Sequence, residues 1–261
     1  MSANSPFVIA SAPRLVLPGG FAVLKEVFSQ AELAAARDGL RGLRQGHGNL
    51  TPSFPWPQPR ANRAKSYKFP GSAHHSAELA ALAQSRRLAR RIAITTGASS
   101  VRFWFDQVLE EAPAPRDRAV NYHWHTERSR WKTCQAPLMV TAWIPLTDVS
   151  LEMGPLTVVR RSSRHRWLDL PTGYEPQPDE LFAQELQAGS ALLFCWHTVH
   201  GNPPNFGDRP REVLAAHFAL NELAYQAAGK FSHLNEKAVR SVEGRPDFSD
   251  ERVCPLVFGA S

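Results

Sequence analysis

The chain has 261 residues, of which 43% are hydrophobic and 21% charged, a composition that excludes fibrous, collagen-like and largely disordered proteins. The formal charge of +6 comes mainly from scattered arginines, and even the densest group, Arg86, Arg87, Arg90 and Arg91, is spaced as one solvated helix face. No nucleic-acid or membrane partner is therefore expected, and three cysteines without a CxxC pair argue against a disulfide framework or zinc ribbon.

Residues 1–18 have neither the basic start nor the apolar run of a secretory signal, and no stretch is long enough to span a bilayer, so a cytoplasmic protein is expected. Residues 14–28 read as strand-like. Ser29 and Glu32 form a capping box before a helix over about 30–43. Residues 46–60, rich in Pro, Gly and Asn, are loop. A second helix is predicted over about 77–95, with Ser76 as N-cap and Gly97 just past its end. From residue 100 the period changes to two, and strands are predicted from Val101 onward and over 119–127, 137–144, 155–160, 190–195 and 213–220. Segment 166–186 reads as a long polar loop and 222–252 as irregular. The whole, 1–261, reads as one domain: a helix and strand lead-in over about 14–98, an antiparallel sandwich or barrel over about 100–220, and an irregular C-terminal segment over 222–261.

The chemistry concentrates in Asn121-Tyr122-His123-Trp124-His125-Thr126-Glu127. On a strand, residues i and i+2 share a face, so His125 and Glu127 point the same way. With a second imidazole they complete the two-His-one-carboxylate set that holds one face of an iron(II) ion and leaves three positions open. His200, where an apolar strand ends at His-Gly, is the candidate. Arg211 opens the following strand, and its planar, permanently charged fork suits the far carboxylate of 2-oxoglutarate. Other residues keep two readings. His123 shares the face of His125 and is a ligand, a substrate contact or a hydrogen-bonded histidine of the core. His197 is a neighbour of the site or a core residue. Trp131, Arg128 and Arg130 face substrate or lie in an exposed loop. His74 and His75 are read as solvated, and Cys134 and Cys195 as small core residues.

Several ordered segments resemble the phytanoyl-CoA dioxygenase family. They are Gly20-Phe21-Ala22-Val23-Leu24 with Val27-Phe28-Ser29, the Trp124-His125-Thr126-Glu127 motif, the Val-Thr-Ala-Trp-Ile-Pro-Leu-Thr-Asp-Val run at 140–149, Gly154-Pro155-Leu156-Thr157-Val158-Val159, His200-Gly201-Asn202 and Arg209-Pro210-Arg211. The resemblance spans roughly residues 15–220. It implies a mainly β, double-stranded β-helix (jelly-roll, cupin-like) fold with flanking N-terminal helices. It also implies an iron(II)- and 2-oxoglutarate-dependent dioxygenase that uses O2 to hydroxylate a small molecule. By the same resemblance His125, Glu127 and His200 are the ligands, Arg211 the clamp, and Trp143, Thr126 and Asn202 co-substrate contacts. The chain departs from the family at Glu127, where Asp is usual, at Glu110-Glu111-Ala112-Pro113, where a Lys-Pro-Pro is common, and at Arg160 to His165, where a Pro-Gly-Ser-His turn is usual. Arg118 or Lys68 are then candidates for the missing basic contact. A cupin-type metal enzyme without 2-oxoglutarate and a non-catalytic binding protein of the same fold are the alternatives.

Overall fold

Three serines set the helical part of the chain. The computed structural model describes residues 17–48, 50–51, 54–55, 66–228 and 233–259. Helix α1 (Gln30–Arg44) begins at the predicted capping box: the Ser29 hydroxyl accepts from the Glu32 N–H, and the Glu32 carboxylate accepts from the Ser29 N–H. The single helix predicted over 77–95 is in fact two, α2 (Ala77–Ala83) and α3 (Arg86–Thr96). Ser85 is the reason. Its backbone is extended (φ −61°, ψ 121°) and its hydroxyl accepts from the Leu88 N–H, so it caps a new helix instead of continuing the old one.

The strands are β1 (Phe21–Leu24), β2 (Ser66–Pro70), β3 (Val101–Glu111), β4 (Cys134–Gln135), β5 (Leu138–Pro145), β6 (Thr157–Val159) and β7 (Leu181–Phe182), followed by β8 (Ala191–Cys195), β9 (His200–Gly201) and β10 (Arg211–Leu220). Beyond them lie β11 (Ala224–Tyr225), α4 (Leu234–Ala238), the short hairpin of β12 (Ser241–Val242) and β13 (Arg245–Pro246), and β14 (Leu256–Phe258). The large sheet runs β1-β8-β5-β10-β3-β14, with β2 pairing the other half of β3, and a smaller sheet runs β7-β6-β9. All the pairings are antiparallel. Together the two sheets make the double-stranded β-helix.

Alternation divides the large sheet into two faces. Val140, Ala142 and Ile144 of β5 and Leu214, Ala216 and Phe218 of β10 pack beneath Leu33, Leu40, Leu79, Leu82, Leu88 and Ile92 of the helices. Each fully buried Leu or Ile there contributes about 1.5–3 kcal/mol. On the opposite face Trp143, Leu192, Phe194 and Val213 pack with Val158 of the small sheet, Leu156 and Met153. This second face carries the site.

Four expectations need correction. Residues 119–127 form no strand: the only ladder contact there is a bridge between His125 and His200, after which the chain turns into a 3-10 helix, Glu127–Ser129. His74 and His75 are buried rather than solvated, because Phe54 stacks on His74 and Phe69 meets the edge of His75. The polar loop at 166–186 contains a 3-10 turn and β7. The irregular segment at 222–252 contains α4 and three short strands. The part of the predicted first strand at 14–16 lies outside the described residues, as do 49, 52, 53 and 56–60 of the 46–60 loop.

Candidate functional site

His125 and His200 face each other across their bridge, each backbone N–H donating to the other's carbonyl at 3.1 and 3.0 Å. In both rings Nδ1 donates to a carbonyl two residues back, His123 O at 2.8 Å and Thr198 O at 2.9 Å. Since a carbonyl only accepts, the proton sits on Nδ1 and each Nε2 keeps its lone pair for a metal. Thr126 has extended backbone (φ −115°, ψ 152°), which is why His125 and Glu127 share a side without belonging to a strand. One ligand atom from each of His125, Glu127 and His200 lies within 4.8 Å of the others. Glu127 Oε1 stands 3.5 Å from His200 Nε2, too long for a strong hydrogen bond and spaced for an ion between them.

The electrostatics match that arrangement. Burial pushes the Glu127 carboxyl up, but His200, His217 and His125 around it outweigh burial and hold it below the usual carboxylate range. Burial lowers the His125 imidazole from 6.5 to about 3, and His200 beside it adds to the effect. Glu127 as carboxylate and His125 as neutral imidazole are the forms in which these side chains bind a divalent cation.

The triad opens on a cavity of about 640 Å³, within the range of small-molecule sites. Trp143 and Asn202 line both this cavity and a smaller one that contains Arg211. Arg211 is 5% exposed, and burial lowers its guanidinium from 12.5 to about 10, partly countered by Glu111. Its Nη1 donates to the carbonyls of Met153 (2.7 Å), Gly154 and Pro203 (3.2 Å). Among the described residues no hydrogen bond is made by Nε or Nη2. The Trp143 indole N–H is likewise buried without a partner there. Two glycines allow this packing. A Cβ on Gly154, whose φ is +64°, would lie 2.9 Å from Arg211 Nη1, and one on Gly201 would lie 2.3 Å from the Tyr122 carbonyl.

The remaining sequence candidates divide. His123, Trp131, Arg130 and Lys68 line the cavity. His123 is exposed in a left-handed turn with φ 49°, so the expected shared strand face with His125 does not exist. Thr126 is spent as the cap of the 3-10 helix, accepting from the Ser129 N–H, and lies outside the cavity lining. Arg128 lies over Trp196 and donates to the Trp131 carbonyl, and His197 pairs with the Trp167 carbonyl; neither lines the cavity. Arg209 donates to the Asp148 carbonyl on the surface. Arg118 is exposed outside the lining of both cavities, where its charge acts on Glu111. Sequence reasoning missed His217, Gln107, Phe105 and Thr141 on the cavity floor, and His233 and Leu234, by which the C-terminal segment closes one wall. The period of two in β3 puts Phe105 and Gln107 on one face, but nothing in the sequence says that this face, or that of His217 and Thr141, is the one turned to the cavity.

Fold and site together define a class: a double-stranded β-helix with a His-Glu-His cluster on the wall of a cavity and a buried arginine beside it. The chain belongs to the phytanoyl-CoA dioxygenase (PhyH) family, which it matches over residues 19–213. It is 30% identical over 129 residues to the dioxygenase olcK of Penicillium canescens, a match covering 46% of this chain and 41% of that protein's length. Among solved structures it is similar to SnoN, a non-heme alpha-ketoglutarate-dependent epimerase from nogalamycin biosynthesis (22% identity, TM-score 0.71, 93% of each chain). The same enzyme in complex with Fe3+, alpha-ketoglutarate and nogalamycin RO matches at 23% identity and TM-score 0.66, covering 92% of this chain and 94% of that one. SnoK, a non-heme alpha-ketoglutarate-dependent carbocyclase of nogalamycin biosynthesis, matches at 20% identity and TM-score 0.66 over 95% of each chain. Among the described residues no helix is long and apolar enough to cross a membrane.

Proposed function

We propose that this chain is a mononuclear non-haem iron(II) dioxygenase that consumes 2-oxoglutarate and O2 and hydroxylates a small molecule, releasing succinate and CO2. The observation that carries the reading is the set of three ligand atoms within 4.8 Å on the wall of a cavity, with a buried arginine beyond it. The residues fit the groups. Two imidazoles have their protons fixed away from the ion, and a carboxylate offsets its charge. A guanidinium and the orphaned Trp143 N–H would hold a dicarboxylate. When bound, iron(II) with 2-oxoglutarate and O2 supplies the oxidation of a C–H bond.

His125, Glu127 and His200 would hold one face of the ion and leave the cavity side open. Arg211 would take the far carboxylate of the co-substrate through Nε and Nη2, the Trp143 N–H would orient it, and Asn202 stands between the two cavities. Phe194, whose ring lies 4.5 Å from that of His200, and Leu156 exclude water from the metal side. A carboxylate at 127, where halogenation needs a freed coordination position, favours hydroxylation. The three buried thiols suit a cytoplasmic setting, and the complexes of the relative SnoN with Fe3+ and alpha-ketoglutarate support the choice of cofactors.

Anaerobic titration with iron(II) and then 2-oxoglutarate tests this. A weak visible metal-to-ligand charge-transfer band is expected, and succinate release on admitting air; binding of iron without the band rejects the co-substrate. A metal enzyme without 2-oxoglutarate is the second reading, favoured by the carbonyls that already engage Arg211 Nη1.

A further inference from the structure

Strand β10 lines both cavities, with Ala215 and His217 in the larger and Arg211 and Val213 in the smaller. Arg211 lies at one end and His217 at the other, six residues on and roughly 20 Å away at the rise of a strand. Both are on the same face, with Val213 and Ala215 between them. With the co-substrate at the Arg211 end, as the oxygenase reading has it, the His217 end is left for the molecule to be oxidised; the role of His217 rests on that reading.

That end has a definite chemistry. His217 is 1% exposed, yet it lines the cavity. Its ring is held on three sides: Nδ1 pairs with Thr141 Oγ1 at 2.9 Å, Phe105 lies parallel within 10° at 6.1 Å, and Trp131 meets it edge-on at 4.4 Å. Its Nε2 makes no hydrogen bond among the described residues. A rigidly held imidazole that lines a cavity and whose second nitrogen makes no hydrogen bond to the described residues leaves that bond for a ligand. The surroundings are mostly rings: Phe105, Trp131 and His233 line this end with Pro70 and Leu234, whereas Leu109 and Leu156 lie nearer the Arg211 end. Ring edges and faces select flat ligands. Glu127 is the only acid of the lining, and it belongs to the triad. The floor is deep because Ala215, between Gln107 and Trp143 in register, puts only a methyl group at its centre.

We propose that the primary substrate is a flat, ring-bearing molecule with a hydroxyl or carbonyl oxygen, and that His217 binds this oxygen while Phe105 and Trp131 flank the ring. The His217 end offers more ring than aliphatic surface and a hydrogen-bonding imidazole, which suits such a ring better than a linear acyl chain. Ala215 sets how deep the ring can sit.

The test is isothermal titration calorimetry with three probes of similar size, 2-naphthol, naphthalene and octanoate. It is run on the protein alone and on the anaerobic protein with iron(II) and 2-oxoglutarate. Tenfold or greater preference for 2-naphthol over both others is expected. His217→Phe should bring 2-naphthol to within twofold of naphthalene, and His217→Gln should keep part of the preference. Ala215→Leu should weaken both ring probes at least tenfold. Octanoate binding tightest, or a full naphthol preference in His217→Phe, overturns the proposal. So does unchanged naphthol binding in Ala215→Leu, which decides the matter if His217→Phe does not fold. Failure of the iron and 2-oxoglutarate reading registers separately, as a missing charge-transfer band with probe binding intact.

Discussion

Replacing Arg211 with alanine removes two things at once, and their sizes differ. On the ligand side, Nε and Nη2 would make two charge-assisted hydrogen bonds to a carboxylate, each contributing about 1.5–3 kcal/mol. Their loss should raise the 2-oxoglutarate requirement by roughly two to four powers of ten, at about 1.4 kcal/mol per tenfold. On the structural side, the carbonyls of Met153, Gly154 and Pro203 lose their shared donor. With water entering the space, that costs about 1–3 kcal/mol and a melting temperature lower by several degrees. Arg211→Lys should recover only part of the binding, since an ammonium is a point charge and not a fork. Gly154→Ala is an independent probe of the same geometry. Its Cβ would lie 2.4 Å from the Pro204 carbonyl and 2.9 Å from Arg211 Nη1, so it should weaken 2-oxoglutarate without removing any charge. The assay is anaerobic 2-oxoglutarate titration of the iron(II) protein by its charge-transfer band, beside thermal melts without ligand. A lowered melting temperature with an unchanged titration would show that Arg211 is only a tie between loops. Loss of the dependence in Arg209→Ala instead would move the clamp by two residues.

His125→Ala and His200→Ala should each lose bound iron, measured as metal stoichiometry, and unchanged stoichiometry in either rejects the triad. Glu127→Ala should lose turnover while Glu127→Asp keeps some, and His123→Ala should leave iron bound; the reverse pattern makes His123 the ligand. Because affinity at nitrogen and oxygen donors rises from iron(II) toward nickel and copper, nickel should inhibit and iron(II) with ascorbate should restore activity. Full activity in a zinc-only protein removes iron from the account. Finally, burial lowers His74 and His217 to about 4 and His125 and His233 to about 3, all from 6.5. As pH falls the unfolded chain takes up these protons first, so their contribution is complete above about pH 6.5 and lost below it. Asp106, raised by burial from 3.8 to about 7, acts in the opposite sense across the same range and offsets one of the four. The metal-free protein should thus lose stability as the pH falls below about 6.5. A melting temperature that stays flat from pH 7 to pH 5 refutes this.

By itself the sequence determined the features that depend on near neighbours. The serine caps of α1 and α2 are hydrogen bonds across three residues, and Gly97 ends α3 through its own left-handed backbone. The alternation of Val101, Phe103 and Phe105 and the apolar runs within 138–145, 191–195 and 211–220 are written in the chain itself, so the long strands were legible. So were His125, Glu127, His200 and Arg211 as chemistry-bearing residues. The break at Ser85 was not, because a serine within an apolar period reads equally as helix interior or as a new cap. Only the tertiary structure decided that His125 meets His200 through a bridge, that Thr126 is used up as a cap, and that β10 turns His217 rather than Phe218 toward the cavity. Alternation says that two neighbours face opposite ways but not which way is inward. That choice is made by register across β3, β10 and β5 and by the helices that cover one side, and those contacts join residues far apart in the chain.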